Sequence, residues 1–145
     1  MSVELVDTNI FVYAYDPTET ARHERARGLV GELWQEGTGC LSTQVLLELF
    51  VVLTRKLPNR MAPQKARDLV EDLARWPVHS PSAQDVVAAI RLSVKDRLSA
   101  WDANLVQSAI AMGASVLWTE HLQHGRRFGS VTVKNPFWSG ASERR

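Results

Sequence analysis

Three acidic residues that lie far apart in the chain are the side chains best suited to chemistry: Asp7, Glu48 and Asp102. Asp7 follows a short apolar run, whereas Glu48 and Asp102 fall within helical patterns. Clustered carboxylates repel one another unless a cation neutralises them, and Mg²⁺ or Mn²⁺ prefers oxygen ligands. Such an ion can activate water and stabilise the leaving oxygen in phosphodiester cleavage. If the three acids meet in space, they predict a metal-dependent phosphodiesterase.

Each acid also has a structural explanation. Asp7 could cap the following turn, and Asp102 could be the acidic member of a capping box that complements the helix dipole. Glu48 is harder to explain, because apolar residues crowd it throughout 46–53 and leave no wide polar face. A carboxylate in such surroundings usually needs a cation or a hydrogen-bond partner. We therefore expect a functional role for Glu48 in particular.

Other familiar sites of α/β proteins are missing from the sequence. No glycine-rich phosphate loop, GxSxG elbow or HExxH pattern occurs, and the residue two after Asp7 is Asn9, which excludes a DxDxT phosphotransferase. The single cysteine, Cys40, excludes an internal disulfide and a multi-thiolate metal site. The separated acids are what remains.

Short apolar strands alternate with helices along the chain. Val3–Val6 reads as a buried strand that places Asp7 at its carboxyl end, and Ile10–Tyr15 fits either a helix or a continued strand. Further strands are expected at 40–42, 78–79, 115–118 and 131–133, and helices at 20–36, around 43–57, at 63–75, after Ser82 and after Ser99. This order predicts a three-layer α/β domain with a central, mainly parallel sheet flanked by helices. Ligands of such sheets bind beyond the carboxyl ends of the strands.

The 145 residues and their ordinary composition fit one domain, for which we expect residues 1–138, with a frayed tail at 139–145. The N-terminus lacks the features of a signal peptide or membrane span, so we expect a cytoplasmic protein. The net charge of +1 neither requires nor excludes a nucleic-acid partner.

The chain resembles a PIN domain, specifically the VapC-type toxin ribonucleases of bacterial toxin–antitoxin pairs. Four segments carry the resemblance in family order: VDTNIFVYAYD, LSTQVLLELFVVLTRKL, SAWDANLVQSAIAMGASVLWTEHLQHG and VTVKNPF. The resemblance implies a PIN-like fold, dependence on Mg²⁺ or Mn²⁺ and cleavage of RNA. It also implies a homodimer and inhibition by an antitoxin that inserts into the active-site groove.

By the same resemblance, Asp7, Glu48 and Asp102 match the metal-binding acids, and Asn9 and Thr119 match supporting polar positions. One position departs from the pattern, because the family's fourth acid is replaced by His121. Three readings stay open: the neighbouring Glu120 substitutes, His121 binds metal or phosphate, or three acids suffice. A histidine there predicts a weaker metal site, because a negative charge is lost.

Cations near the acids would be needed to hold RNA. Arg126 and Arg127, beside the fourth-strand motif, are the candidates we favour, whereas the basic residues of 22–27 read as a solvated helix face. Trp101 could stack on a base, but we expect it in the core.

Two other functions fit the same residues. One is a PIN nuclease that serves RNA processing or decay without an antitoxin, against which the short length argues. The other is a catalytically weak PIN-like module that binds RNA or protein, which the histidine at position 121 makes plausible.

Overall fold

Strands and helices alternate through residues 2–139, the part of the chain that the computed structural model describes. The strands are β1 (Glu4–Val6), β2 (Gly39–Ser42), β3 (Val78–His79), β4 (Val116–Trp118), β5 (Arg127–Phe128) and β6 (Val131–Lys134). The helices are α1 (Thr8–Tyr15), α2 (Thr20–Glu36), α3 (Thr43–Val51), α4 (Pro63–Leu73), α5 (Ala83–Asp96) and α6 (Ala100–Ala111). A π-helical turn at Val52–Lys56 extends α3. Of the predicted tail, 140–145 lies outside the described residues.

One sheet holds the strands in the order β3-β2-β1-β4-β6-β5. All neighbouring pairs are parallel except β5 with β6, so the predicted mainly parallel sheet flanked by helices is confirmed. Strand β5 was not among the predicted strands. Two residues are too few to display a strand periodicity.

Helix starts follow the capping signals in the sequence. The Asp7 carboxylate accepts a hydrogen bond from the Thr8 amide (2.6 Å), which starts α1 and decides the open choice at Ile10–Tyr15 in favour of a helix. The Ser42 hydroxyl accepts from the Val45 amide and starts α3.

The core packs closely where β2 meets Trp76. A Cβ at Gly39 would lie 2.4 Å from a ring carbon of Trp76, so only glycine fits there. The Trp76 ring also packs edge-on against Phe11 and Trp34. This aromatic cluster fixes α1 and α2 on one side of β2.

A serine, a histidine and an aspartate are linked in the order of a hydrolase triad, but they cannot act as one. His79 Nδ1 lies 2.8 Å from Ser108 Oγ, and His79 Nε2 lies 3.3 Å from Asp85 Oδ2. Ser108 is fully buried, so no substrate can reach its hydroxyl. The three residues instead tie β3 to α5 and α6.

Among residues 2–139, no helix has both the length and the apolar character needed to cross a membrane.

Candidate active site

Asp7 and Thr119 lie side by side because their strands are parallel neighbours in register. Val6 of β1 pairs with Trp118 of β4, so the next residue of each strand projects from the same edge of the sheet. Asp7 is buried, and its two oxygens are both used: Oδ1 accepts from the Thr8 amide (2.6 Å) and Oδ2 accepts from Thr119 Oγ1 (2.8 Å). The carboxylate is therefore held in one orientation.

His121 completes this cluster from the loop after β4. Its Nδ1 lies 3.4 Å from Asp7 Oδ2, and its Nε2 lies 2.8 Å from Asn9 Nδ2. Because an amide nitrogen only donates, this contact fits the neutral ring, with Nε2 accepting from Asn9 and the ring proton on Nδ1, facing Asp7. In the protonated ring Nε2 also donates, and the Asn9 amide must then present its oxygen. Thr119 Oγ1 also accepts from the His121 amide (3.1 Å). The structure thus brings Asp7, Asn9, Thr119 and His121 together.

The charge around His121 favours the imidazolium. Its hydrogen bond to Asp7 raises its pKa, and the negative charges of Asp7, Asp102 and Glu120 act in the same direction. Partial burial opposes them, but the pKa is raised on balance. An imidazole with a raised pKa therefore stands where the resemblance led us to expect an acid.

Asp102 is available for this cluster because its capping box is only half formed. Ser99 Oγ accepts from the Asp102 amide (3.0 Å), as predicted. In the α5 box, Asp85 Oδ2 also accepts from the Ser82 amide (2.9 Å), but within residues 2–139 the Asp102 carboxylate makes no matching bond. The capping box suggested for Asp102 is therefore only half formed, and the suggestion is wrong for the carboxylate. The negative charge of this carboxylate instead helps to raise the pKa of His121.

The sequence led us to expect Glu48 in apolar surroundings, and this prediction is wrong. Its side chain is exposed on α3. The helix buries Val45 and Leu49 and leaves Leu47 exposed together with Glu48. The apolar run therefore covers two faces of α3, of which only one enters the core. The Glu48 carboxylate accepts a hydrogen bond from Gln44 Nε2 (2.6 Å).

A groove with a cavity of about 620 Å³ lies between α3 and the start of α6. Trp101 is 71% exposed in its wall, so the expectation that it packs in the core is wrong. The first turn of α6 projects it away from the sheet. The groove is lined by Thr43, Gln44, Leu47, Glu48, Val51, Val52, Lys56, Pro81, Trp101 and Asn104.

The donors fit a hard divalent cation in kind, although they form no finished cage. Within residues 2–139, no three histidine, cysteine or acidic side chains are grouped closely enough to hold a metal ion. Asp7 and Asp102 both raise the pKa of His121, whereas Glu48 lines the groove. Carboxylate oxygens are the ligands that Mg²⁺ and Mn²⁺ prefer. The hydroxyl of Thr8, next to Asp7, is a further buried oxygen with no hydrogen-bond partner among the described residues.

Glu120 is bound to α1 and α2. Its carboxylate pairs with the Arg22 guanidinium and accepts from the Tyr13 hydroxyl (2.9 Å). Burial, together with this contact, raises the pKa of Tyr13 to about 12. Arg22 also lies over the rings of Tyr13 and Phe137. These contacts give Glu120 a structural role in anchoring the loop that carries His121.

The candidate RNA-binding residues differ in their environment. Arg126 lies over the Phe128 ring, 4.7 Å from its centre, whereas Arg127 on β5 is exposed. On α2, Arg25 donates to the carbonyl of Pro136 (3.0 Å), so this basic helix face is partly used in packing. Gln44 and Asn104 also line the groove, and sequence reasoning had no signal for them, because single polar residues in a helix carry no motif.

Comparison with known proteins gives the family. The family model of the PIN domain matches residues 5–123, whereas no curated protein sequence matches the chain. A toxin–antitoxin complex from Klebsiella pneumoniae has a similar structure, with a TM-score of 0.68 and 18% identity over 92% of this chain and 98% of that chain. VapBC2 from Rickettsia felis, bound to a DNA fragment from its promoter, gives 0.64 and 22% over 94% and 99%.

VapC20 from Mycobacterium tuberculosis, described as a toxin that cleaves the sarcin–ricin loop, gives a TM-score of 0.61 and 20% identity. That match covers 79% of this chain and 86% of VapC20. At these identities the likenesses establish a shared fold, and the family model spans most of the chain. The protein therefore belongs to the PIN domain family.

Proposed function

We propose that this protein is a metal-dependent endoribonuclease and the toxin of a toxin–antitoxin pair. The observation that carries the proposal is the cluster of Asp7, Thr119 and His121, with the charge of Asp102 acting on it, at the carboxyl edge of a PIN-domain sheet. The reaction is hydrolysis of RNA phosphodiester bonds.

In this proposal Asp7, Glu48 and Asp102 hold Mg²⁺ or Mn²⁺. When bound, the cation neutralises phosphate charge, activates water and stabilises the leaving oxygen. Thr119 and the Thr8 amide keep Asp7 in one orientation, and Asn9 does the same for the His121 ring. Glu48 is exposed at the groove whose opposite wall is the start of α6, the helix that carries Asp102.

RNA is the substrate class that we assign, with Arg126 and Arg127 as contacts to its backbone. The exposure of Arg127 supports such a contact, because its charge is open to a phosphate. The similar VapC20 is described as a toxin that cleaves an RNA loop, which favours the same class here.

The partners that we propose are a cognate antitoxin and a second copy of this chain. The similar structures include toxin–antitoxin complexes, and their matches cover nearly the whole of this chain. We propose a single PIN domain over residues 1–138 and a location in the cytoplasm.

The decisive experiment is induced expression in a host that lacks the antitoxin. Wild type is expected to arrest growth, and Asp7→Asn is expected to abolish the arrest because the amide loses the charge that binds the cation. Asp68→Asn, which changes an exposed aspartate of α4, is the matched control and should still arrest growth. Purified wild type should cleave RNA with Mn²⁺ and lose that activity in EDTA.

Growth arrest by both wild type and Asp7→Asn would contradict the metal-nuclease mechanism. The main alternative is a catalytically weak module that binds RNA or protein. It is favoured by His121 at the fourth position and by the lack of a finished acidic cage within residues 2–139. Arrest by neither protein, together with RNA binding that does not respond to EDTA, would support it.

A further inference from the structure

The carboxylate of Glu48 is connected to helix α6 by a chain of side-chain amides. Asn104 Nδ2 donates to Gln44 Oε1 (2.7 Å), and Gln44 Nε2 donates to Glu48 Oε1 (2.6 Å). Asn104 lies on α6, whereas Gln44 and Glu48 lie one turn apart on α3. This series of hydrogen bonds therefore crosses the groove between the two helices.

The direction of these hydrogen bonds follows from the chemistry of the groups. An ionised carboxylate can only accept, so Gln44 must present its NH₂ group to Glu48. Its carbonyl oxygen is then left facing α6, where only a donor satisfies it. Asn104 supplies that donor, so each group is matched to the next.

The position of Asn104 links this series of hydrogen bonds to the other acids. It lies two residues after Asp102 on the same helix, and it lines the groove together with Gln44 and Glu48. Its own oxygen, Oδ1, is buried and has no hydrogen-bond partner among the described residues.

We infer that Gln44 and Asn104 are positioning residues that hold Glu48 in register with the helix of Asp102. The inference rests on the proposed function, in which Glu48 and Asp102 share a divalent cation. An exposed glutamate samples many rotamers, and each must be lost when it binds a metal. A hydrogen bond to the carboxylate removes part of that freedom in advance and raises metal affinity.

The test is Mn²⁺ binding to the full chain, measured by calorimetry with no RNA present. Gln44→Met keeps the side-chain length and removes both hydrogen bonds, and it is expected to weaken Mn²⁺ binding by about 10-fold. Asn104→Leu removes only the donor from α6 and is expected to weaken binding in the same direction. Gln64→Met, at an exposed glutamine of α4 outside the groove, is the matched control and should bind as wild type does.

The same titration on Glu48→Gln separates the two levels of the argument. If Glu48→Gln leaves Mn²⁺ binding unchanged, Glu48 is not a ligand, and the metal site and this inference both fall. If Glu48→Gln weakens binding but Gln44→Met and Asn104→Leu do not, only the inference is overturned. In the doubly substituted Gln44→Met and Glu48→Gln protein, we expect no loss beyond that of Glu48→Gln.

A general loss of structure is distinguished by the melting temperature of the metal-free proteins. We expect Gln44→Met to have the same melting temperature as the wild type, because the side chain at position 44 is half-exposed at the rim of the groove. A further loss of Mn²⁺ affinity when Gln44→Met is added to Glu48→Gln would mean that Gln44 acts independently of Glu48 and would overturn the inference.

Discussion

His121 is the residue at which this site departs most from a set of carboxylates. Its ring lies between Asp7 and Asn9, and the surrounding acids raise its pKa. The imidazole thus occupies space beside Asp7 that an acid or a bound cation would otherwise fill. An imidazole adds no negative charge beside Asp7, so we expect a weaker metal site than an acid at this position would give.

Replacement of this ring by an acid is expected to strengthen metal binding. His121→Asp adds a carboxylate beside Asp7 and should bind Mn²⁺ about 10-fold more tightly than wild type. The measurement is calorimetric titration, with His121→Asn as the control that removes the ring without adding charge. Equal affinities for the aspartate and asparagine variants would mean that position 121 lies outside the metal site.

Cys40 is expected to be chemically silent in the folded protein. It lies fully buried in β2, and burial raises the pKa of its thiol to about 12, so almost no thiolate exists at neutral pH. A thiol reagent at pH 8 should leave the native chain unlabelled. The same reagent should label one thiol per chain in 6 M guanidinium chloride. Rapid labelling of the native protein would contradict the buried position.

At the scale of elements, α3 shows that a sequence pattern can predict a helix without predicting which of its faces is buried. Its apolar residues predicted a helix around 43–57, which the structure confirms with Ser42 as its cap. The same pattern did not reveal which apolar residues face the core, so Glu48 was expected in apolar surroundings and is exposed. Periodicity identifies a helix, but the partner on each face is decided by packing.

Helix α5 should lose stability in acid through its capping box. The pKa of Asp85 is lowered chiefly by its hydrogen bond from the Ser82 amide, with help from the Ser82 hydroxyl, Gln107 and the charge of His79. A lowered folded pKa means that the ionised group stabilises the fold above the unfolded value, near 3.8, and that this contribution is lost as the pH falls through the folded pKa.

Asp85→Asn is therefore expected to lower the melting temperature at pH 7, and the difference from wild type should shrink as the pH falls below about 4. Thermal melts monitored by circular dichroism between pH 7 and pH 3 measure this. A difference that is constant over the whole range would mean that ionisation of Asp85 contributes nothing.

Strand β2 should tolerate no side chain at Gly39. Gly39→Ala drives a methyl group into the Trp76 ring and is expected to destabilise the protein by about 1–3 kcal/mol. Gly28→Ala is the matched control, because the position lies inside α2 and a Cβ there meets no atom of residues 2–139 within 4 Å beyond its chain neighbours and the local helix backbone. It should stabilise the protein by about 0.5–1 kcal/mol through better helix propensity. Urea unfolding measures both, and equal effects would contradict the packing.

At the scale of the whole molecule, we expect the chain to form a homodimer. Several large apolar side chains remain exposed within residues 2–139, including Leu47 and Trp101 at the groove and Val94 on α5. Exposed apolar surface of this kind favours association. Light scattering after gel filtration should give about twice the mass of one chain, which is 16.3 kDa. A mass of one chain at micromolar concentration would contradict the dimer.

Much of the fold was predictable because its signals are local. The structure confirms the bounds of α2, the strand at Val78–His79 and the helix after Ser82, each of which depends on neighbouring residues. The two-residue β5 and the exposure of Trp101 were not predicted, since the first is too short for a pattern and the second depends on packing.

The sequence by itself determined the alternation of strands and helices, the likeness to PIN domains and the acids to examine. Local propensity, capping and motif order depend on residues close in sequence, so they can be recognised without knowledge of tertiary contacts. Only the tertiary structure decided how those acids are partnered: Asp7 with Thr119 and His121, Asp102 free of its capping bond, and Glu48 held by Gln44. These contacts join residues from different elements, and strand register and helix packing alone bring such residues together.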